Sequence, residues 1–484
     1  MKVLLLTIWL VSVALVQGQD MRDHWILGDS MHLKFTDAGL VFLRQIPFEA
    51  RESLCSISDT SGNLLLFAHE GMVYDSSYNV IPGGDSLFFP PLSTSSTQGV
   101  IIVPYLDHFV HVNRITSGYP DGVLSYSIIQ YDSLLDSYCI PEGSRMKIVQ
   151  PQLFAEQMQA IKHANGRDWW FLGRKLINTT IPRSNSFVVY LLSSSGLELV
   201  HDISIGMESN IWGELATNSN GSMLALASFT GMLQLFDFDR CTGLVTNART
   251  LINDSTSTYY GCAFSSDGTK LYIAKSNREV LEQIDLSESA FPVSTIFSAN
   301  FGLNNGAGQL ELGPDDKIYW IQSVQSFIFD SVPAMYLGVI NNPNEPGLSC
   351  NFDLDGVWLG GIVNRRIGLP NHPNYYLGPL VGSPCDTLMD PDTTTAIQPI
   401  HVASVEPCFE LRASGSGSIT LKIEPSFMNS TIELYNSSGT QVFTGQVNTT
   451  NSMLSTASWT PGMYVARLRT RDGRCPAQKF VVAP

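Results

Sequence analysis

Nine histidines are the first residues to test for metal or acid–base chemistry: His24, His32, His69, His108, His111, His163, His201, His372 and His401. His108 and His111 are the closest pair, and a spacing of three along a strand puts their rings on opposite faces, which argues against a shared metal. His163 stands before the turn at Asn165-Gly166, where it either points into a central channel or serves as a hydrogen-bonded structural residue. Asp353-Leu354-Asp355-Gly356 and Asp390-Pro391-Asp392 carry carboxylates in the manner of a calcium loop but lack its spacing and closing Glu, so both read as turns. Gly415-Ser416-Gly417-Ser418 leads into a strand without the strand-to-helix turn that exposes a serine nucleophile. The sequence holds no His-Glu-x-x-His, Cys-x-x-Cys, phosphate loop or dinucleotide fingerprint. Trp169 and Trp170 are adjacent, so on a strand one should face the core and the other solvent, where an indole can stack on a sugar. Six Asn-x-Ser/Thr sequons, at Asn178, Asn220, Asn253, Asn429, Asn436 and Asn448, are what an Asn-, Ser- and Thr-rich chain yields by chance. These residues assign no catalytic, cofactor-binding or metal site, and no cofactor is expected.

Any site must therefore be made by the scaffold, and the scaffold repeats. An apolar stretch, a Ser-Asp-Gly type of turn and a second alternating stretch recur, most clearly in Ala263-Phe264-Ser265-Ser266-Asp267-Gly268-Thr269-Lys270-Leu271-Tyr272. Looser copies surround Gly62, His108, Asp168, Gly221 and Asp316; Gly221 to Gly268 spans 47 positions and Gly268 to Asp316 spans 48. That period is the length of one four-stranded propeller blade. A single blade has two apolar faces and cannot bury both alone, whereas a ring of blades can. End pieces at 25–35 and 375–377 would close the ring if the first and last strands share a blade, which removes exposed edges. Seven blades are predicted, with six as the alternative.

The bulk numbers agree with an ordered, exported β protein. Charged residues make up 15% of the 484 positions and apolar ones 44%. A net charge of -16 argues against nucleic acid, which needs clustered Lys and Arg. Met1-Lys2, an apolar run over 3–16 and Gln17-Gly18-Gln19 read as a secretory signal cut between Gly18 and Gln19. The run is shorter than the roughly 18–20 apolar residues a membrane span requires, and no transmembrane segment is expected elsewhere. Eight cysteines fit disulfides in such a protein, and Cys408 with Cys475, near the two ends of the last domain, is the pairing expected.

After Gly378 the composition turns to Pro, Asp and Thr, the mark of a linker, and from about Glu406 short alternating strands resume. Five or more such strands in under 80 residues predict a small immunoglobulin-like β-sandwich. The boundaries read as 1–18 signal, 19–380 propeller, 381–405 linker and 406–484 sandwich.

Two resemblances follow from these residues. Asp59-Thr60-Ser61-Gly62-Asn63, Gly166-Arg167-Asp168-Trp169-Trp170, Phe236-Asp237-Phe238-Asp239, the Gly268 repeat, Gly338-Val339-Ile340-Asn341-Asn342-Pro343-Asn344 and Gly368-Leu369-Pro370-Asn371 resemble exported β-propeller regions of large surface proteins in Bacteroidota. Ile432-Glu433-Leu434-Tyr435-Asn436, Trp459-Thr460-Pro461-Gly462-Met463-Tyr464-Val465 and the closing Gln478-Lys479-Phe480-Val481-Val482 are similar to the C-terminal sorting domain of the type IX secretion system. The family's Pro-Ala-Gly-x-Tyr turn lacks its Ala here. The resemblance implies that Pro461, Gly462, Tyr464 and Lys479 form the sorting motif and that the type IX machinery is a partner. The function expected is a secreted or surface-attached, non-catalytic binding or adhesion protein whose partner is a polysaccharide or another surface protein. The alternative is an enzyme working in the propeller channel, lactonase-like or glycan-active.

Overall fold

A computed structural model describes residues 20–386 and 409–482, apart from 29–30, 47–51, 70, 88–95, 119–120, 151–153, 177–182, 276–278, 300–305, 324–333, 364–367, 414–417, 424, 429, 437–440, 457–458, 461 and 470–477. The chain divides into two compact units, 1–393 and 394–484.

The first unit is a β-propeller of seven antiparallel sheets that follow one another in sequence. Blade 1 holds His24–Leu27, Met31–Thr36 and Gly39–Gln45; blade 2 begins at Leu54–Ser58, blade 3 at Val100–Tyr105 and blade 4 at Phe154–Lys162. Blades 5, 6 and 7 begin at Leu215–Thr217, Tyr259–Phe264 and Gly306–Leu312. Blades 4 to 7 each have four strands in simple up-and-down order.

Blade 6 shows how the sequence pattern becomes packing. In Lys270–Lys275, Leu271 and Ile273 pack with Leu233 and Leu235 of blade 5. Tyr272 and Ala274, on the opposite face, pack with Leu310 and Trp320 of blade 7. Strict alternation of apolar side chains thus serves two interfaces, and the strand reads as continuously apolar because both faces are dry. The preceding turn is held by Asp267, whose carboxylate accepts the Ser265 hydroxyl (2.7 Å) and the Thr269 N–H (2.9 Å). Gly268 takes a left-handed φ of 72°; at the equivalent place in blade 7 Asp316 adopts φ 61°, a conformation that a short polar side chain tolerates. Asp267→Ala should cost about 1–2 kcal/mol of propeller stability through these lost turn bonds. Equal denaturation midpoints for variant and wild type would contradict that.

Ring closure uses different residues from those expected. Residues 375–377 form no strand. Instead Pro370 makes an isolated parallel bridge to Leu54, and the Asn371 N–H donates to the Leu54 carbonyl (2.7 Å). On its other side the Leu369 N–H bonds Gln309 of blade 7 (2.6 Å). The Met21 carbonyl accepts the Ser58 N–H and the His24 carbonyl the Ser56 hydroxyl, so His24–Leu27 runs antiparallel to its neighbour Leu54–Ser58. The innermost place of blade 1 therefore belongs to residues 369–371, arriving from the far end of the propeller sequence. Pro370 and Pro373 have no N–H, which limits this strand to a single ladder bridge.

The second unit is a β-sandwich. One sheet orders Phe409–Ala413, Ser418–Ile423 and Asn451–Ser455; the other orders Gln441–Gln446, Thr431–Asn436, Gly462–Arg469 and Gln478–Val482. Phe409, Ile419, Leu421 and Ile423 from the first meet Ile432, Leu434, Ala466 and Leu468 from the second.

Candidate functional site

Of the residues singled out above, few come together. His163 is a structural residue: its Nδ1 accepts the Asn165 N–H (3.0 Å) and its Nε2 lies 3.1 Å from the Cys241 carbonyl. His111 is fully buried, while His108 pairs with Asp107, so the two do not share a site. Trp169 and Trp170 are both buried, at 0% and 2% exposure. The expectation of one solvent-facing indole fails because the strand lies between two neighbouring blades, so both its faces are covered. Asp355 N–H turns back to the Asp353 carboxylate (3.1 Å), as a turn would. Gly18, Gln19, Asp390, His401, Pro461 and the Cys408–Cys475 pairing lie outside the described residues. Gly462 opens its strand, Lys479 sits opposite Val465, and the buried Tyr464 donates its hydroxyl to the Thr460 carbonyl (2.7 Å).

The propeller axis is where unrelated parts of the chain converge. Thr97, ahead of the inner strand of blade 3, meets the Tyr260 hydroxyl of blade 6 at 2.7 Å, and that hydroxyl donates to Glu52 of blade 2 (2.9 Å). Thr97 also donates to Glu156 of blade 4 (3.1 Å), and Gln309 of blade 7 donates to the Thr97 carbonyl (2.7 Å). Gln98 exchanges two hydrogen bonds with the Leu215 backbone of blade 5 (2.8 and 2.9 Å). Asn371 of the closing segment stands beside Gln98 (3.4 Å) and donates to the Met158 carbonyl (3.0 Å). Among the described residues, direct bonds between opposite blades bridge the axis. The axis is stoppered by amides.

Beside this stopper lies a cavity of about 190 Å³, walled by Glu214, Glu311, Arg22, Gln159, Asn218, His372 and Asn374 among others. Glu214 precedes the inner strand of blade 5 and is 5% exposed. One carboxylate oxygen accepts the N–H groups of Cys262 (2.8 Å) and Leu310 (3.3 Å), from blades 6 and 7. Burial nevertheless pushes this carboxyl up to about 8, against those two donors. Glu311 is held well above the usual range by burial and then by the Glu214 charge, with Arg22 acting the other way. The Glu214 charge disfavours ionisation of Glu311, so the two carboxyls titrate as a coupled pair above the usual carboxylate range. The guanidinium of Arg22 forks onto Asp20 (3.2 and 3.1 Å). Sequence reading did not single out these residues. The available signal was a charged residue inside an apolar inner strand, Gln309-Leu310-Glu311-Leu312. Among the described residues no group of three or more His, Cys, Asp or Glu side chains is placed to hold a metal.

Residues 415–483 match the family described as the secretion system C-terminal sorting domain. No curated protein matches the chain. Among solved structures, the Dos1 propeller is similar at 10% identity and TM-score 0.43, covering 71% of this chain and 86% of its own. A putative 6-phosphogluconolactonase from Bacteroides fragilis NCTC 9343 is similar at 11% identity and TM-score 0.41, covering 66% and 90%. Its counterpart from Bacteroides uniformis ATCC 8492 stands at 12% and 0.40, covering 66% and 92%. No helix among the described residues is long and apolar enough to cross a membrane. The chain thus carries a type IX secretion sorting domain behind a seven-bladed β-propeller, and it is a protein exported to the cell surface or released beyond it.

Proposed function

We propose that this protein is a non-catalytic binding or adhesion protein, with the propeller as a rigid recognition scaffold whose loops meet a polysaccharide or another surface protein. The observation that carries this reading is the bridged axis. Hydrogen bonds from blade to opposite blade, with Asn371 wedged among them, leave about 190 Å³ where small-molecule sites usually enclose roughly 300–1,000 Å³. Recognition is left to the rims. In this reading a signal is cut between Gly18 and Gln19, residues 381–405 act as the linker, and Pro461, Gly462, Tyr464 and Lys479 are what the secretion machinery recognises.

The test is binding of the full chain to immobilised polysaccharides and surface proteins, alongside hydrolysis assays on lactones and glycosides. Saturable binding that a Glu214→Gln, Glu311→Gln double variant retains, without turnover, is expected. A second reading is favoured by one observation, the two carboxyls Glu214 and Glu311 that line the cavity with their affinity for protons raised, which suits general acid–base chemistry on a small lactone or sugar. Turnover by the wild type that the double variant loses establishes that reading instead. Separately, deleting residues 415–483 should leave the propeller inside the outer membrane, as read by fractionation; export at wild-type level contradicts the assigned role of that domain.

A further inference from the structure

Beyond the stopper, the chain leaves the axis across the junction of blades 4 and 5 and is fastened there repeatedly. Lys162 reaches the Tyr375 carbonyl (3.4 Å). Leu377 packs with Ile161, Trp170 and Leu224. Arg240, 7% exposed, donates to the Gly378 carbonyl (2.6 Å) and also to the carbonyls of Lys162 (2.9 Å) and His163 (3.4 Å), so one guanidinium ties the passing segment to the end of a blade 4 strand. Pro379 sits over Gly166, where a Cβ would come within 2.7 Å of the proline ring. The Leu380 N–H bonds the Ala164 carbonyl (2.8 Å), and Cys385 is disulfide-bonded to Cys241, in the turn after Met232–Phe238 of blade 5. These anchors include a covalent one. By contrast, the ring-closing residues 369–371 have a single ladder bridge, at Pro370.

This asymmetry matters for a chain whose C-terminal side is engaged by export machinery. Pull on the chain beyond Asp386 would otherwise act in line on a one-bridge strand, breaking its contacts one after another. We infer that residues 377–386 are a mechanical clamp that diverts tension from the C-terminal side through Cys385 into blade 5, so that it does not reach the strand closing the ring. The inference rests on the export reading only for the origin of the load. Its mechanics belong to the propeller alone.

The experiment is single-molecule pulling on the full chain, held through biotin at the Leu134 turn, where that side chain is 94% exposed, and drawn from the C-terminus. The oxidised chain should show the sandwich unfolding and then the propeller unfolding, with no short step between. Dithiothreitol, a dithiol, reduces the bridge to two thiols and leaves as its own cyclic disulfide. After it acts, a short extension of about 35 Å, the reach of ten freed residues, should precede propeller unfolding at a lower force. Arg240→Met should lower the force of that short step in the reduced chain and leave the oxidised trace unchanged. Because the bridge is cut after folding, a folding defect cannot imitate the result. Equal propeller unfolding forces in oxidised and reduced chains would overturn the clamp, as would release of the closing strand as the first propeller event in the oxidised chain. Secretion plays no part in the measurement, so failure of the clamp and failure of the export reading are told apart.

Discussion

Glu214→Gln is expected to raise the melting temperature of the propeller most strongly near and above pH 8 and to flatten its pH dependence from pH 4.5 upward. In the folded protein burial lifts the Glu214 carboxyl from 4.5 to about 8. The folded state therefore holds this proton more tightly than the unfolded chain. Its contribution to stability is fully present below pH 4.5 and is lost as pH rises through about 8. Each unit of difference is worth about 1.4 kcal/mol, so the loss across that window is on the order of 4 kcal/mol. A glutamine keeps the geometry, since its Oε1 can still accept the N–H groups of Cys262 and Leu310, and it carries no charge to desolvate. For a domain of this size the gain at pH 8 should appear as roughly 5 °C. Neutralising Glu214 also removes the repulsion on Glu311, whose own carboxyl should then titrate lower. Parallel stability–pH curves for variant and wild type would show that Glu214 is solvated and that the cavity is wetter than its walls indicate.

Loss of the Cys241–Cys385 bridge should have a comparable effect by a different route. The bridge closes a loop of 144 residues that contains blades 6 and 7 and the ring-closing segment. Chain-entropy reasoning assigns such a loop about 5 kcal/mol, acting on the unfolded state. Local hydrogen bonds to Gly378 and Leu380 remain after reduction, so the folded ring should persist with a lowered denaturant midpoint, and the slope should steepen because the unfolded chain, no longer cross-linked, exposes more surface. The check is a guanidinium titration with and without dithiothreitol, repeated on a Cys241→Ser, Cys385→Ser variant. Coincident midpoints would mean that the unfolded chain is already compact around this pair, and the entropic account would be wrong.

Much of the fold was legible because its determinants are local. The Asp267 carboxylate specifies its turn through local bonds to the Ser265 hydroxyl and the Thr269 N–H, and the alternation of Leu271, Tyr272, Ile273 and Ala274 specifies a strand with two dry faces. The same rule misled at Trp169 and Trp170, because alternation says which residues share a face and not what covers that face. The sorting domain was legible for a similar reason, since Trp459 and Tyr464, close in the chain, have their rings 5.1 Å apart and the Tyr464 hydroxyl donates to the Thr460 carbonyl.

What the amino-acid order determined alone was the blade as a unit, its repetition and the sandwich that follows, since each depends on side chains within a few residues of one another. The tertiary structure decided the rest. The closing strand joins Pro370 to Leu54, the bridge joins Cys385 to Cys241, and the acid pair joins Glu214 to Glu311 across two blade boundaries. Nothing in the order of residues marks such partners, because which inner strands face one another depends on how many sheets the ring needs to cover every apolar face. The chemistry of the axis is set by that geometric closure, and it becomes visible only once the ring is complete.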